Sequence, residues 1–322
     1  MNRRTVLAAT LAALPVSAAR SQPRFPDRAV RIVIPYPAGG SLDVVARAVG
    51  PKFQEIAGQP LVLDNRGGAA GTLAAAHVAT SAPDGYSTIL ASAPQLSIGA
   101  ALQPNLTYDP RADLLPVTWM VSTPFALFAS AASGLTDLAA VLARGRAEPG
   151  KVPFASPGNG SLGHLALEMM AQATNTEWLH VPYRGAAPAM NDMAAGTVSL
   201  AFTVPASALP MVEAGRLKPI AIAAPQRSPA IPDMPTFAEL GYPQVDCQLW
   251  LGVMVPKGTP QAVIVRLNQV FQEALRDPAV RATLDRSGAT IEANGPEQFA
   301  AMLQADFPRW AEVIRRGNIK LD

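Results

Sequence analysis

Two short stretches of the chain concentrate residues able to hold or attack a small molecule. The first is Pro35-Tyr36-Pro37-Ala38-Gly39-Gly40-Ser41-Leu42-Asp43, and the second is Ser156-Pro157-Gly158-Asn159-Gly160-Ser161-Leu162-Gly163-His164. Each joins glycines to a hydroxyl, with one titratable side chain a few residues later. Glycine lets the backbone approach a ligand closely. A helix starting just after it presents unpaired N–H donors and the positive end of its dipole. Such a spot holds an anion without Lys or Arg. Two of them in one chain imply a pair of lobes gripping a small acidic molecule.

Other chemistry fits these residues less well. Gly158, Gly160 and Gly163 match the G-x-G-x-x-G of a dinucleotide loop, which wants a carboxylate about 20 residues on, at the end of the next strand. Glu177 lies 19 residues after Gly158, but it precedes the predicted strand Trp178–Val181, which ends in Pro182-Tyr183-Arg184. A general anion loop is the better reading. At Ser161 a nucleophile elbow would need glycine where Asn159 stands, so the hydroxyl is a helix cap or a ligand donor. The three histidines, His77, His164 and His180, are far apart in sequence and lack metal-ligand spacing. His164 falls in the first turn of the second loop's helix and divides between lining the site and a structural role; His77 and His180 read as structural. Asp43 either caps its helix, worth about 0.5–2 kcal/mol, or meets a ligand amine, hydroxyl or water. Tyr36, Tyr183 and Trp250 stand at strand ends or at a crossover, facing a cleft or packing in the core. Spacing supports no Ser/His/Asp set and no carboxylate pair, which weakens any reading as an enzyme. No metal or cofactor is expected.

The elements that must position the loops follow from periodicity. Leu42, Val45, Val49, Phe53 and Ile56 recur at helical spacing and Gly58 stops the run. Strand Leu61–Leu63, an Ala-rich helix over 69–80 and strand Thr88–Ala91 follow. A second series begins after the long apolar run Val117–Ala129. It has helix Thr136–Ala147, strand Val152–Ala155, helix Ser161–Ala173, strand Trp178–Val181, a helix after Pro188, strand Val198–Phe202, helix Pro205–Ala214 and strand Leu217–Ala223. Alternation at this spacing implies parallel sheet and an α/β fold. A second apolar run, Leu249–Val255, brackets the series, and three helical segments ending near Arg316 close the chain. Two such runs predict two crossovers, with the last third returning to the first lobe.

The 322 residues suffice for two domains, and 49% hydrophobic with 16% charged content marks a globular chain with a substantial core. Residues 1–20 read as a signal peptide, with Arg3 and Arg4, an apolar stretch Val6–Val16 and a small-residue cleavage site. The paired arginines fit either the general secretory or the twin-arginine route to the periplasm. Losing them takes the formal charge from +2 to 0, which offers no footprint for nucleic acid. No later run is long enough to span a bilayer, so the exported protein is expected to be soluble. Cys247 stands alone, precluding an internal disulfide, and reads as a buried apolar residue.

Taken together, the loops are similar to those of a known group. Pro35–Asp43 resembles the first loop of Bug-type solute receptors of the tripartite tricarboxylate transporter class. So do Asp64–Gly68, Pro83–Tyr86, Tyr108–Pro110, Ala155–Ser161 with His164, Val181–Gly185, Arg227–Ala230, Pro232–Thr236 and Pro256–Pro260, in order along the mature chain. The resemblance implies a type II periplasmic binding fold of two α/β lobes around a ligand cleft, joined by two crossing strands. Residues 24–124 with 249–322 would form the first lobe and 125–248 the second. It implies a carboxylate ligand held by backbone N–H groups and hydroxyls, often through water, with Gly39, Gly40, Ser156, Gly158, Gly160 and Ser161 at matching loop positions. Ser92 and Asn159 join these candidates, as does Thr203, which departs from the Asp common in relatives. Gln95 lies in a loop that varies. The function so implied is a monomeric periplasmic receptor that passes a small organic acid to membrane transporter subunits. Its rivals are an exported nucleotide-cofactor oxidoreductase and a sensory binding protein acting on a signalling receptor.

Overall fold

The computed structural model describes residues 25–228 and 230–321. The predicted export segment lies outside them. The chain opens as β1 (Val30–Ile34), α1 (Ser41–Ala57), β2 (Leu61–Asn65), α2 (Thr72–Ala79) and β3 (Ser87–Ala91). In α1 the periodic residues Leu42, Val45, Val49 and Phe53 are buried, and Gly58 ends the helix in the left-handed region at φ 74°. The Ala-rich stretch over 69–80 is not one helix. Ala69 and Ala70 take positive φ, 47° and 54°, ahead of α2. The carbonyl of Ala70 accepts from the Gln95 amide at 2.8 Å. That tertiary bond overrides the helix propensity of alanine.

Next come α3 (Ser97–Leu102), which periodicity did not announce, and β4 (Leu114–Ser130), a 17-residue strand. The second series is α4 (Leu138–Ala147), β5 (Pro153–Ser156), α5 (Leu162–Thr174), β6 (Leu179–Pro182), α6 (Ala186–Ala195), β7 (Leu200–Thr203), α7 (Pro205–Glu213) and β8 (Leu217–Ala223). Helix α6 begins ahead of Pro188, whose missing N–H falls in the first turn and breaks no helical bond. The chain closes with β9 (Gln248–Pro256), α8 (Gln261–Arg276), α9 (Pro278–Arg286), β10 (Thr290–Asn294) and α10 (Pro296–Arg316). The three closing helices were legible; β10 between them was not.

The strands run in the order β2-β1-β3-β9-β4-β7-β5-β6, with β8 and β10 also paired to β4. β1 is parallel to β2 and β3, and β5 is parallel to β6 and β7. Every pairing of β4 is antiparallel. Its first part pairs with β9, from Leu114 opposite Pro256 to Pro124 opposite Gln248. Its last part pairs with β8, from Phe125 opposite Ala223 to Ser130 opposite Leu217. β4 therefore belongs to both α/β halves, and residues 224–247 carry the chain back between β8 and β9. Two bonds at Cys247 tie that return to β4 and β8, with the Phe125 N–H donating to the Cys247 carbonyl and the Cys247 N–H to that of Ala223. Phe53 against Phe271 joins α1 to α8 in one half, and Phe154 against Phe202 fills the other. Helix α10, with Trp310 fully buried, packs on α3, β4 and α5 and so touches both halves.

Candidate functional site

The carboxyl ends of β1 and β5 feed the two glycine loops, and α1 and α5 start directly after them. Both helix starts open into one cleft of about 690 Å³, within the range of small-ligand sites. Gly40, Ser41 and Leu42 form part of its wall, and Gly158, Asn159, Gly160, Ser161 and Leu162 another part. Tyr36, Asp43 and Ser92 also line it.

The first loop is held by Asp43, whose side chain is only 3% exposed. Its Oδ2 accepts from the Gly39 N–H at 3.0 Å and from Arg47 Nε at 2.7 Å, while Oδ1 accepts from Asn65 Nδ2 at 3.2 Å. The Arg47 hydrogen bond, then the Gly39 N–H, keep the carboxyl below the usual carboxylate range. The N-cap of α1 is Gly40, with no side-chain bond. Asp43 is thus neither a conventional cap nor a free ligand group; it is the tie that shapes the loop.

The second loop depends on glycine. Gly158 has φ 141° and Gly160 φ 70°, and a Cβ on Gly160 would stand 2.6 Å from Leu102 Cδ1. Ser161 is the N-cap of α5, its Oγ accepting from the His164 N–H at 3.4 Å. That leaves the hydroxyl its own proton to donate.

Behind this loop the fold joins groups that lie apart in sequence. The Gly160 N–H donates to His164 Nδ1 at 3.2 Å, which makes Nδ1 the unprotonated nitrogen. The His164 ring stacks on His180 at 3.8 Å between centroids, and its Nε2 lies 3.8 Å from Glu168 Oε1. Burial, and then the neighbouring His180, push His164 down to about 4. His180 is lowered too, by burial, and its Nε2 contacts Ser156 Oγ at 2.6 Å. This Ser/His pair was invisible from spacing, because the sheet brings it together by setting Phe154 of β5 opposite His180 of β6. Ser156 is fully buried and lies outside the cleft wall, so its hydroxyl meets no molecule held there.

Gly39, Ser156, His164, Tyr183 and Thr203 do not line the cleft. Gly39, Ser156 and His164 stand behind the loops as supports. The Tyr183 hydroxyl donates to Asp192 Oδ2 at 2.7 Å, and Thr203 is buried at the end of β7 opposite Ala126. Trp250 is core, its indole N–H donating to Asp306. Gln95 organises the floor: its Nε2 donates to the Tyr36 hydroxyl at 3.0 Å and to Ala70, and its Oε1 accepts from the Ser92 N–H and hydroxyl at 3.0 and 2.9 Å. Burial raises Tyr36 above the usual phenol range. Sequence reasoning missed the apolar wall of Ile98, Leu102, Leu249 and Leu321. Ser92-Ala93-Pro94-Gln95 did carry a signal, the S-x-x-Q of a helix start, and it leads directly into α3.

No Lys, Arg or His stands among the described residues of the wall. An anion there meets peptide N–H groups, hydroxyls and two helix dipoles. Among the described residues there is no cluster of three or more His, Cys, Asp or Glu able to hold a metal, and no helix is long and apolar enough to cross a membrane.

Two α/β halves sharing β4, with paired loops over one cleft, define a ligand-capturing protein of the type II periplasmic binding fold. The family model described as "Tripartite tricarboxylate transporter family receptor" matches residues 45–319, and the chain belongs to that family. It is 35% identical over 317 residues to Protein BugT of Bordetella pertussis, covering 98% of this chain and 97% of BugT. The solved structure of the periplasmic binding protein BugD is 31% identical, with a TM-score of 0.79 over 92% of this chain and 99% of BugD. A Rhodopseudomonas palustris protein solved with adipate is also 31% identical, with a TM-score of 0.81 over 92% of this chain and 99% of that one.

Proposed function

We propose that this chain is a periplasmic receptor that captures a small organic acid by its carboxylate and hands it to membrane transporter subunits, without a catalytic step or a cofactor. One observation carries the reading: the N-termini of α1 and α5 open into one cleft whose described wall holds no cation. The adipate in the R. palustris relative accords with it. Gly40 and Ser41 supply donors from the first loop and the Ser161 hydroxyl supplies one from the second; Tyr36, Ser92, Asn159 and Gly160 shape the wall, and Gly39, Asp43, Ser156 and His164 hold the loops. The proposed lobes are 24–124 with 249–322, and 125–248. The switch of β4 from β9 to β8 between Pro124 and Phe125 supports that division. Binding favours the closed arrangement because only that state offers contacts from both sides. We take the receptor to act as a monomer, exported by its N-terminal segment.

A thermal-shift panel of organic acids, each run beside its uncharged amide, tests the reading. An acid at 100 times its dissociation constant stabilises by about 2.7 kcal/mol. The expected result is a concentration-dependent rise in Tm with at least one acid and none with its amide. Equal rises with both, or turnover of the acid by the purified protein, would contradict it.

A further inference from the structure

The walls of the cleft say more about the acid than its two loops do. Beyond the helix starts the lining is mostly hydrocarbon, with Ile98 and Leu102 from α3, Leu162 from α5, Leu249 from β9 and Leu321 near the chain end, and with Ser92 and Gln103 as its uncharged polar side chains. Apart from Tyr36 and Asp43, the polar side chains of the wall, Ser41, Ser92, Gln103, Asn159 and Ser161, are uncharged and offer no counter-charge, and the groups beneath and beside them are engaged. Asp43 is occupied by Gly39, Arg47 and Asn65, and the Tyr36 hydroxyl accepts from Gln95. The Gln95 carboxamide is saturated by Ser92, Tyr36 and Ala70. The only charge among the described lining residues is the negative one on Asp43. A second carboxylate at the far end of a ligand would be desolvated against leucine with no counter-charge, which is strongly unfavourable. An apolar body in the same place gains by leaving water.

Resting on the carboxylate reading above, we infer that the preferred ligand of this chain is a monocarboxylate whose remainder is an uncharged apolar group of at least a phenyl ring's bulk. Leu102 is the residue that sets this preference. It is part-buried, and it reaches toward the second loop, as the contact it would make with a Cβ on Gly160 shows. Dicarboxylates such as adipate are the natural comparison, given the relative solved with that acid.

Calorimetric titration of the full exported protein with benzoate, 3-phenylpropanoate and 2-naphthoate, against malate, adipate and citrate, tests the inference. Benzamide serves as the uncharged control. The tightest aromatic acid should bind at least about tenfold more tightly than any of the polyacids, the scale of penalty for a group left without its partner. A polyacid that binds as tightly as the aromatic acids overturns this inference and leaves the carboxylate reading standing. Benzamide equal to benzoate, or binding by no acid, overturns both. A Leu102→Arg variant, checked for a native melt, places a cation on the apolar wall beside the second loop, where a dianion gains more from it than a monoanion. It should shift the adipate-to-benzoate affinity ratio toward adipate by about tenfold or more. An unchanged ratio in the folded variant removes Leu102 as the determinant.

Discussion

Ser161 and His164 sit three residues apart and do different work. The Ser161 hydroxyl caps α5 through its lone pair and retains its own proton to donate. In Ser161→Ala, affinity for a bound acid should fall roughly tenfold to a hundredfold, the equivalent of about 1.5–3 kcal/mol for a hydrogen bond to a charged group. Titration calorimetry reads the loss; a ligand-free melt beside it separates the lost cap, about 1 kcal/mol. Unchanged affinity would exclude Ser161 from the site. His164 shows itself through pH instead. Its folded value, about 4, is below the 6.5 of a free histidine, so the unfolded chain binds the proton first as pH falls. The contribution of neutral His164 is therefore whole above about 6.5 and is lost progressively toward 4. His180 has the same sign, and Glu168, raised by burial, has the opposite one. Between pH values of about 7 and 5, the urea midpoint of the wild type should fall further than that of His164→Gln. Equal falls would deny His164 the role. The roles of these residues were half legible: a glycine loop before a helix is a local signal, whereas the His164–His180 stack depends on β5 and β6 being neighbours.

The helices and strands that place the loops were largely readable because each carries its own periodicity and stop. α1 announces itself by Leu42, Val45, Val49 and Phe53, and α5 by a Gly/Ser start and an apolar face. What escaped has a common cause. α3 spans six residues, β10 spans five, and neither carries enough repeats to declare a period. The break at Ala69 and Ala70 depends on Gln95, a residue from another element. At this scale Asp43 can be tested, since one buried carboxylate links the loop before α1, the helix itself and the end of β2. Asp43→Ala leaves the Gly39 N–H without its acceptor and takes one of two acceptors from the Asn65 amide, which keeps the Tyr36 carbonyl, and should destabilise the protein by about 1–3 kcal/mol in urea unfolding. It should also weaken ligand binding, since the loop loses its tie. Because its carboxyl lies below the usual range, the contribution of Asp43 is present above a pH of about 4 and is lost as pH falls further. A variant as stable as the wild type would show that the loop holds its shape without it.

For the whole molecule, the sharing of β4 between two α/β halves turns two local anion spots into one site. Neither loop alone encloses a ligand. The return from β8 to β9, and α10 lying across both halves, bring them face to face. The two long apolar runs foretold this crossing, but their lengths did not reveal that the antiparallel seam of β4 and β9 would carry it. The apolar wall was beyond sequence reading, because α3, β9 and the residues near the chain end meet only in the folded molecule. The central claim is that a carboxylate rests between the starts of α1 and α5. A crystal structure of the protein grown with the acid that raises Tm most in the panel tests it directly. Carboxylate oxygens are expected within about 3 Å of peptide N–H groups of the Gly40–Leu42 segment on one side and of the Ser161 hydroxyl or the Leu162 N–H on the other. An acid held by one loop alone, or seated outside the cleft, would contradict it.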